Sequence, residues 1–306
     1  MLIVSWNVNS INARLEDVNH LLDKYDPDIL LLQEIKCEEH KFPKFEKYFV
    51  YINGQKAYNG VAILSKYELR DIRHNFHIDN SFKITDNTEN LSSIHDNLFK
   101  ITNSTENLSS IHDDQSNEDE AFLRDETLIM DEAPLRDEAR YIEAKLILPS
   151  GQEYYFASVY VPNGKSVGSS SYVYKINFLN KLYVHLKNLE TKNFILGGDF
   201  NVAPFDLDVF SSEAMQGGLS CTLKERQSFR KALNVFDDSF RVLNPLTQHF
   251  TWWDYRNGSF SKNTGLRIDF ILTSTSVTNC LKFSSMYKDF RSTVRPSDHI
   301  PCAVEF

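Results

Sequence analysis

Short apolar runs of strand length alternate with amphipathic runs of helix length along most of this chain of 306 residues. Residues 2–8 are apolar and rich in β-branched side chains, and residues 29–33 and 60–65 are apolar too, as buried strands are. Between the first two runs, apolar residues recur at helical spacing, namely Ile11, Leu15, Val18, Leu22 and Tyr25, before Asp26-Pro27. The alternation predicts a layered α/β fold with helices outside the sheets.

The later part of the chain continues this alternation. Runs 141–148 and 154–161 flank Pro149-Ser150-Gly151, which predicts a hairpin. Thr222 and Glu225 have the spacing of a helix capping box. The remaining predicted elements are a long helix through Ile176, Leu179, Leu182, Leu186 and Leu189, and strands at 193–198, 267–272 and 302–306. Together they extend the layered fold to the last residues.

The segment 77–139 departs from this pattern and carries most of the negative charge. It holds 16 acidic and 4 basic residues, whereas the rest of the chain holds 26 acidic and 29 basic ones. KITDNTENLSSIHD (83–96) recurs as KITNSTENLSSIHD (100–113), and DEAFLRDE (119–126) as DEAPLRDE (131–138). We expect one domain over 1–306 with an acidic, internally repeated insertion at about 77–139. The alternative is an acidic arm that imitates the charge of a nucleic acid or recruits a partner.

Composition excludes several classes of protein. No run of about 18 consecutive apolar residues is present, so we expect no membrane span. The four cysteines are far apart and form no C-x-x-C pair, which favours reduced thiols in a cytoplasmic protein over disulfides or a zinc site. The mildly basic remainder outside 77–139 permits nucleic-acid binding but is not diagnostic of it.

Polar side chains follow or interrupt the predicted strands. They are Asn7, Asn9, Glu34, Tyr160, Asn163, Asp199, Asn201, Asp269, Asp298 and His299. Loops at strand ends are where sites are assembled, and carboxylates with amides suit a hard cation such as Mg²⁺. Taken singly, Glu34 has the alternative of a solvated carboxylate, Asp199 that of a turn residue and His299 that of a satisfied core histidine. Asp269 is harder to dismiss, because it interrupts an apolar run and a buried Asp needs a partner.

The motifs form an ordered set along the chain. They read S-W-N-V-N, L-Q-E, Y-N-G-V-A-I-L-S, Y-V-P-N, G-D-F-N-V-A-P, W-W-D-Y-R, G-L-R-I-D and S-D-H. Over residues 1–76 and 140–306 this set resembles the exonuclease III branch of the endonuclease/exonuclease/phosphatase superfamily. L-Q-E, G-D-x-N and S-D-H are common to the superfamily, whereas Y-V-P-N, W-W-D-Y-R and G-L-R-I-D are typical of its DNA-repair branch.

The resemblance implies a fold and an activity. The fold is a four-layer α/β sandwich, with two packed mixed β-sheets flanked by helices. The activity is that of a Mg²⁺-dependent DNA phosphodiesterase, with Mn²⁺ as the alternative metal. Its substrates are double-stranded DNA with abasic sites, incised on the 5′ side, and DNA 3′ ends. We expect a monomer that acts on DNA of the nucleoid in the cytoplasm.

The resemblance also implies roles for the polar residues. Glu34 is the main metal ligand, supported by Asn9 and Asp298, although some relatives have Asp where this chain has Asn9. Asp199 orients and deprotonates the attacking water, which Asn201 also holds. His299, oriented by Asp269, contacts the scissile phosphate. Asn7 and Asn163 support the phosphate, and Tyr160 stabilises the phosphate or the leaving oxygen.

Substrate recognition is implied for a further group of residues. Trp252, Leu266 and Ile268 match positions that form an apolar pocket for a flipped-out abasic sugar. Relatives have Trp at the position of Leu266, so we expect a looser pocket here. Candidates for contacts to the DNA backbone are Arg14, Lys56 and Lys165. The alternatives are that the tryptophans are ordinary core residues and that the three cations are solvated.

Two rival functions remain open at this point. One is a related phosphoesterase that acts on RNA, phosphoinositides or sphingomyelin, against which W-W-D-Y-R and G-L-R-I-D argue. The other is a non-catalytic DNA-binding scaffold, which would require a broken site. All the chemical positions named above are filled.

Overall fold

The computed structural model describes residues 1–76 and 136–306. These two stretches form one compact unit. The predicted insertion at 77–139 lies outside the described residues, apart from its last four positions. The prediction of a single domain with this insertion therefore stays a prediction.

The described strands form two sheets. The strands are β1 Leu2–Asn7, β2 Ile29–Gln33, β3 Phe49–Asn53, β4 Val61–Ser65, β5 Arg70–Arg73, β6 Tyr141–Ile147, β7 Glu153–Tyr160, β8 Phe194–Asp199, β9 Asp237–Asp238, β10 Asp269–Thr273, β11 Phe283–Met286 and β12 Cys302–Glu305. The first sheet has the order β11-β12-β1-β2-β4-β3 and the second β5-β6-β7-β8-β10-β9. Each sheet is mixed, because β1 and β2 are parallel in one, and β7 and β8 in the other, among antiparallel neighbours.

The sheets pack face to face, with helices on their outer faces. Successive residues of β1 point to opposite sides, so that Ile3 lies in the core between the sheets and Val4 lies on the outer face. The α-helices are Leu15–Tyr25, Ser170–Lys187, Ser212–Met215, Leu223–Leu233, Ser239–Leu243 and Thr275–Thr278, with 3₁₀ turns at Glu39–Lys41, Asp206–Asp208 and Lys288–Ser292. Helix Leu15–Tyr25 covers the first sheet, and Ser170–Lys187 and Leu223–Leu233 cover the second. The predicted four-layer α/β sandwich is confirmed.

The structure also tests several local predictions from the sequence. The Thr222–Glu225 capping box is present, and Asp26 ends the first helix in a left-handed conformation. The strand predicted at 267–272 begins later, at Asp269, because residues 266–268 form isolated bridges and loop hydrogen bonds. Among the described residues, no helix is both long and apolar enough to cross a membrane.

Gly197 and Gly198 lie inside β8 and do not form a turn. A Cβ atom on Gly198 would come within 2.2 Å of the Val159 carbonyl oxygen, and one on Gly197 within 2.7 Å of Ser5 Cβ. The two glycines therefore allow close contact with the neighbouring strand and with the opposite sheet. They bring Asp199, the last residue of β8, to the edge of the sandwich.

Candidate active site

The topology brings most of the predicted polar residues to one edge of the sandwich. Parallel strands β1 and β2 end there, and so do parallel strands β7 and β8. β10 runs antiparallel to β8 and starts at the same edge, which pairs Asp199 with Tyr160 on one side and with Asp269 on the other. Side chains that are far apart in sequence therefore become neighbours.

Asn7, at the end of β1, is the centre of this group. Its fully buried amide nitrogen donates to Glu34 Oε1 at 2.9 Å and to Asp199 Oδ2 at 2.9 Å. His299 Nε2 lies 3.3 Å from the same nitrogen. Asn7 thus connects a carboxylate of the first sheet with one of the second.

Asp269 and His299 form a buried pair. His299 Nδ1 lies 3.0 and 2.9 Å from the two carboxylate oxygens of Asp269. Since a charged carboxylate only accepts hydrogen bonds, Nδ1 carries the proton. The other ring nitrogen, Nε2, faces Asp199 Oδ2 at 3.7 Å. The buried Asp expected to need a partner therefore has one.

Asp199 is held by hydrogen bonds from Asn201. The backbone N–H of Asn201 donates to Asp199 Oδ1 at 2.9 Å, and its side-chain amide donates to Oδ2 at 3.2 Å. Asn163 in turn donates to Asn201 Oδ1 at 3.1 Å. The Y-V-P-N and G-D-F-N motifs thus form one hydrogen-bonded unit.

Burial and neighbouring charges shift the pKa values of Asp199 and His299. Burial raises the pKa of Asp199 to about 8, with further contributions from the charges of Asp269 and Glu34. For His299, burial alone would lower the pKa, but the charges of Asp269, Asp199 and Asp298 outweigh it and raise the pKa to about 10. At neutral pH the imidazole is therefore a cation, and it lies beside a carboxyl group whose pKa burial brings close to neutrality.

Tyr160 faces the same cluster from the end of β7. Burial raises the pKa of its hydroxyl well above the ordinary value, and the charges of Glu34 and Asp199 raise it further. The Arg140 guanidinium lies over the Tyr160 ring, 4.9 Å from its centroid. The hydroxyl is therefore a hydrogen-bond donor at neutral pH.

Glu34 and Asn9 meet at a lysine. Lys36 Nζ lies 2.8 Å from Glu34 Oε2 and also donates to Asn9 Oδ1. Two side-chain oxygens therefore accept from one cationic group. Glu34, Asp199 and His299 also each offer a ligand atom, and these atoms lie within 4.8 Å of one another.

Asp298 is engaged on both of its oxygens. Oδ1 accepts from the Asn9 amide at 2.9 Å, and Oδ2 accepts from the indole N–H of Trp252 at 3.0 Å. Burial alone would raise the pKa of Asp298, but the charge of His299 and these two hydrogen bonds outweigh it and lower the pKa. The carboxylate is thus charged and oriented by protein donors.

Several of these residues have left-handed backbone conformations. The φ angles are 46° at Asn9, 49° at Glu34, 50° at Lys36 and 53° at Asn201. Residues with a Cβ atom adopt this region at a cost, least so for asparagine. The turn after β2 is held by hydrogen bonds from the backbone of residues 35 and 36 to that of residues 60 and 59.

The three predicted pocket residues lie together beside this cluster. Trp252 forms an isolated β-bridge with Leu266 and another with His299. Leu266 and Ile268 are only 6% and 3% exposed and pack with Val209 and Met215. Trp252 is partly exposed, so it is the member of this apolar cluster that a ligand reaches first.

The three cations predicted to contact DNA have different environments. Arg14 donates to the Asn9 carbonyl at 3.0 Å and to the Tyr255 hydroxyl at 2.8 Å, so its guanidinium supports the loop that carries Asn9. Lys56 and Lys165 are exposed, and Lys165 is two residues from Asn163. The structure therefore ties Arg14 to the site, whereas it leaves the other two as surface charges.

The chain also matches a known protein family. The model of the Endonuclease/Exonuclease/phosphatase family matches residues 4–299. The chain belongs to this family.

Members of the family resemble this chain over its whole length. Exodeoxyribonuclease III of Haemophilus influenzae is 28% identical, with 100% of both chains covered. Among solved structures, the 3′ phosphatase NExo from Neisseria, bound to a product DNA hairpin, is 30% identical with a TM-score of 0.76, covering 100% of this chain and 99% of that one. An AP endonuclease from Archaeoglobus fulgidus is 27% identical with a TM-score of 0.77 and the same coverage.

Three residues beside the site of this family member were not singled out from the sequence. Lys36 contacts Glu34 and Asn9, and Arg140 lies over Tyr160. Lys175, which is fully buried, donates to the backbone carbonyls of Asn163 at 3.2 Å and Asn201 at 2.7 Å. Lys36 could have been found from the sequence, because it follows the L-Q-E motif by two positions. A lysine in the middle of a helix, as Lys175 is, gives no such signal.

Proposed function

We propose that this chain is a Mg²⁺-dependent DNA phosphodiesterase of base excision repair, which incises DNA 5′ to abasic sites and removes nucleotides or blocking groups from 3′ ends. The observation that carries the proposal is the group formed by Asp199, Asn7 and the Asp269–His299 pair. It places a proton acceptor, a fixed amide and a buried cation at one edge of the sandwich. Hydrolysis of a phosphodiester needs a positioned water, a base and neutralisation of the developing charge, and this group could supply the last two.

The residues at this edge fit a hard divalent cation. Glu34 Oε2 and Asn9 Oδ1 converge on the ammonium group of Lys36, so this position already holds a positive charge between two oxygens. Oxygen ligands of this kind are those that Mg²⁺ prefers, and Mn²⁺ shares that preference. Glu34 would hold the ion with Asn9 once the Lys36 ammonium moves aside, and Asp298 would support Asn9 by accepting from its amide nitrogen. The bound ion would neutralise charge that develops on the phosphate.

Asp199 accepts the proton of the attacking water in the proposed reaction. The water oxygen bonds to phosphorus while the bond from phosphorus to O3′ breaks. Only the charged form of Asp199 accepts that proton; the His299 cation favours this form, and a bound divalent cation would favour it further. Because burial raises its pKa to about 8, the carboxylate is then a stronger base than an ordinary aspartate. Asn201 keeps the carboxylate in position through two hydrogen bonds.

The His299 imidazolium and the Tyr160 hydroxyl face the developing negative charge. His299 keeps its proton on Nδ1 because Asp269 accepts there, so the Nε2–H, which faces Asp199, is the one that would donate to the phosphate. The leaving O3′ takes its proton from Tyr160, whose hydroxyl is protonated at neutral pH and regains a proton from solvent. Asn163 would donate its second amide hydrogen to a phosphate oxygen, and Asn7 would do so in place of one of its two carboxylate partners.

The apolar cluster of Trp252, Leu266 and Ile268 is the proposed lesion pocket. These side chains pack together, and a nucleotide that lacks its base would fit against them where a normal one would be too large, so that selection would be by exclusion. Leu266 is smaller than the tryptophan expected at its position, so discrimination against normal nucleotides should be weaker. Support for a DNA substrate comes from the relatives, which are named exodeoxyribonuclease III, AP endonuclease and a 3′ phosphatase bound to DNA.

The test uses the full chain and an end-labelled duplex with one abasic analogue, with Mg²⁺ and with EDTA. We expect a Mg²⁺-dependent nick on the 5′ side of the lesion, followed by shortening from the 3′ ends. Asp206→Asn, an exposed residue away from the cluster, is the matched control for Asp199→Asn. A ladder without the nick would make the protein mainly a 3′ exonuclease. No cleavage of DNA would contradict the proposal and turn attention to RNA, phosphoinositides and sphingomyelin.

We further propose that the protein acts as a monomer on DNA of the nucleoid. Four widely spaced cysteines without a C-x-x-C pair are typical of reduced thiols in the cytoplasm. Sedimentation velocity in the presence and absence of the duplex measures the stoichiometry directly. A dimer at micromolar concentration would contradict the first part of this proposal.

A further inference from the structure

Trp252 belongs to the apolar cluster and to the polar cluster at the same time. Its ring packs with Leu266 and Ile268, which form the proposed pocket. Its indole N–H donates to Asp298 Oδ2 at 3.0 Å. The side chain that a ligand in the pocket reaches first is therefore bonded to a carboxylate of the proposed metal site.

The hydrogen bonds beyond Asp298 have a fixed direction. Asp298 Oδ1 can only accept, so it faces the amide nitrogen of Asn9. The Lys36 ammonium can only donate, so it faces the amide oxygen of Asn9. Charge on both sides therefore fixes which way the Asn9 amide points. Its oxygen is directed to the position beside Glu34 Oε2.

We propose that Trp252 is a positioning residue for the metal site, which it orients through Asp298 and Asn9. Without the indole N–H, Asp298 loses one of its two donors and Asn9 loses its fixed partner. Asn9 Oδ1 then no longer converges with Glu34 on one point, and a divalent cation binds more weakly. The inference rests on the proposed function, since it concerns the metal that this function requires.

Trp253 provides a matched control in the next position. It is fully buried, and its indole nitrogen has no hydrogen-bond partner among the described residues. Trp253→Phe and Trp252→Phe therefore remove the same atoms. Only the second removes a hydrogen bond to the carboxylate of Asp298.

The main experiment measures equilibrium binding of Mn²⁺ to the full chain by electron paramagnetic resonance, without DNA. We expect Trp252→Phe to weaken binding by about 10- to 100-fold, as is usual for the loss of a partner that orients a ligand. Trp253→Phe should stay within about 2-fold of the wild type, because it changes packing but no contact of the site. Equal affinities of the two variants would overturn the inference.

A kinetic readout distinguishes a metal defect from a pocket defect. Raising the Mg²⁺ concentration should restore kcat of Trp252→Phe on the abasic duplex, because the variant keeps an aromatic ring in the pocket. A kcat that does not recover would overturn the inference even if the KM for DNA were unchanged. If the wild type cleaves no DNA but Trp252→Phe still loses Mn²⁺ affinity, the proposed function fails and the positioning role stands.

A measurement on the wild type covers the case in which the variant does not fold. The chain has three tryptophans, so ¹⁵N-labelled protein gives three indole signals that triple-resonance spectra assign. Titration with Mg²⁺ should shift the Trp252 signal and leave the Trp253 signal in place. A Trp252 signal that Mg²⁺ does not move would overturn the inference.

Discussion

Two largely buried groups of charged side chains in this molecule differ in their balance of positive and negative charge. The first is the site cluster, defined as Glu34, Asp199, Asp269, Asp298, His299 and Lys36. The second is the ion cluster, defined as Asp208, Asp238, Arg241 and Arg267, in which two carboxylates meet two guanidinium groups. Arg267 bonds to Asp208 at 2.7 Å and to Asp238 at 2.7 Å, and Arg241 bonds to Asp208 at 2.8 Å.

The positive and negative charges of the ion cluster are equal in number, whereas those of the site cluster are not. Four carboxyl groups of the site cluster face one lysine and one histidine, and burial raises the pKa of Asp199 by more than His299 and Asn7 lower it. A buried carboxyl group without a partner is neutralised by a raised pKa, and such shifted groups in a cluster mark a candidate functional site. We therefore assign the ion cluster to stability, whereas binding and chemistry are the proposed roles of the site cluster.

The largest expected effect comes from removing one charge of the site cluster. Asp199→Asn should lower the rate of single-turnover cleavage by about 10²–10⁴-fold, since it removes the proton acceptor. Its free energy of unfolding in EDTA, measured in urea at neutral pH, should change by less than about 1 kcal/mol, because the asparagine amide is neutral like the protonated carboxyl group that burial favours there. A variant that unfolds readily and still cleaves would reverse the comparison.

The equivalent change in the ion cluster should act on stability. Asp208→Asn leaves the fully buried guanidinium of Arg267 short of one partner and should lower the free energy of unfolding by about 3–5 kcal/mol. Urea denaturation measures this. The control is Asp206→Asn, which breaks an ion pair to Arg226 at a carboxylate that is 69% exposed and should cost less than about 1 kcal/mol. Equal losses of unfolding free energy in the two variants would mean that the ion cluster stabilises the fold no more than a surface ion pair does.

Metal should stabilise the fold through the site cluster alone. At about 100 times its Kd, Mg²⁺ should raise the free energy of unfolding of the wild type by about 2.7 kcal/mol. Glu34→Gln should lose most of this gain, whereas Asp208→Asn should keep it. Thermal unfolding with Mg²⁺ and with EDTA checks the difference. A gain of equal size in Glu34→Gln would place the bound ion elsewhere.

The smallest expected effect concerns selectivity. Leu266→Trp should fill the apolar cluster and raise the ratio of abasic-site incision to 3′-end shortening by about tenfold, the size of effect that a small change of volume in an apolar pocket has. Both rates are read from the same labelled duplex. A ratio that stays constant would mean that Leu266 does not border the sugar.

Much of the fold could be predicted because its determinants are local. Consecutive apolar residues in β2 are buried on both faces of the sheet, and Thr222 with Glu225 caps its own helix. The start of β10 could not be placed, because Thr251 and Asp208 hold residues 267–269 through contacts distant in sequence. Pattern alone does not encode such contacts.

The candidate site could be predicted as a set of residues but not as an arrangement. The motifs named Asn9, Asp298 and Trp252 separately, two for the metal and one for the pocket. That Asp298 joins the other two depends on the direction of each side chain, which no spacing in the sequence specifies. Lys175 was missed for the same reason, since its role is evident only when its helix packs against two loops.

The left-handed backbone at Asn9, Glu34 and Lys36 also affects how this protein can be changed by selection. Glycine adopts such a conformation without a penalty, so each of these positions is one where a glycine would relieve backbone strain. The same replacement would delete a side chain of the site. Directed evolution for heat resistance alone should therefore tend to erase activity at these positions first, unless catalysis is screened in every round.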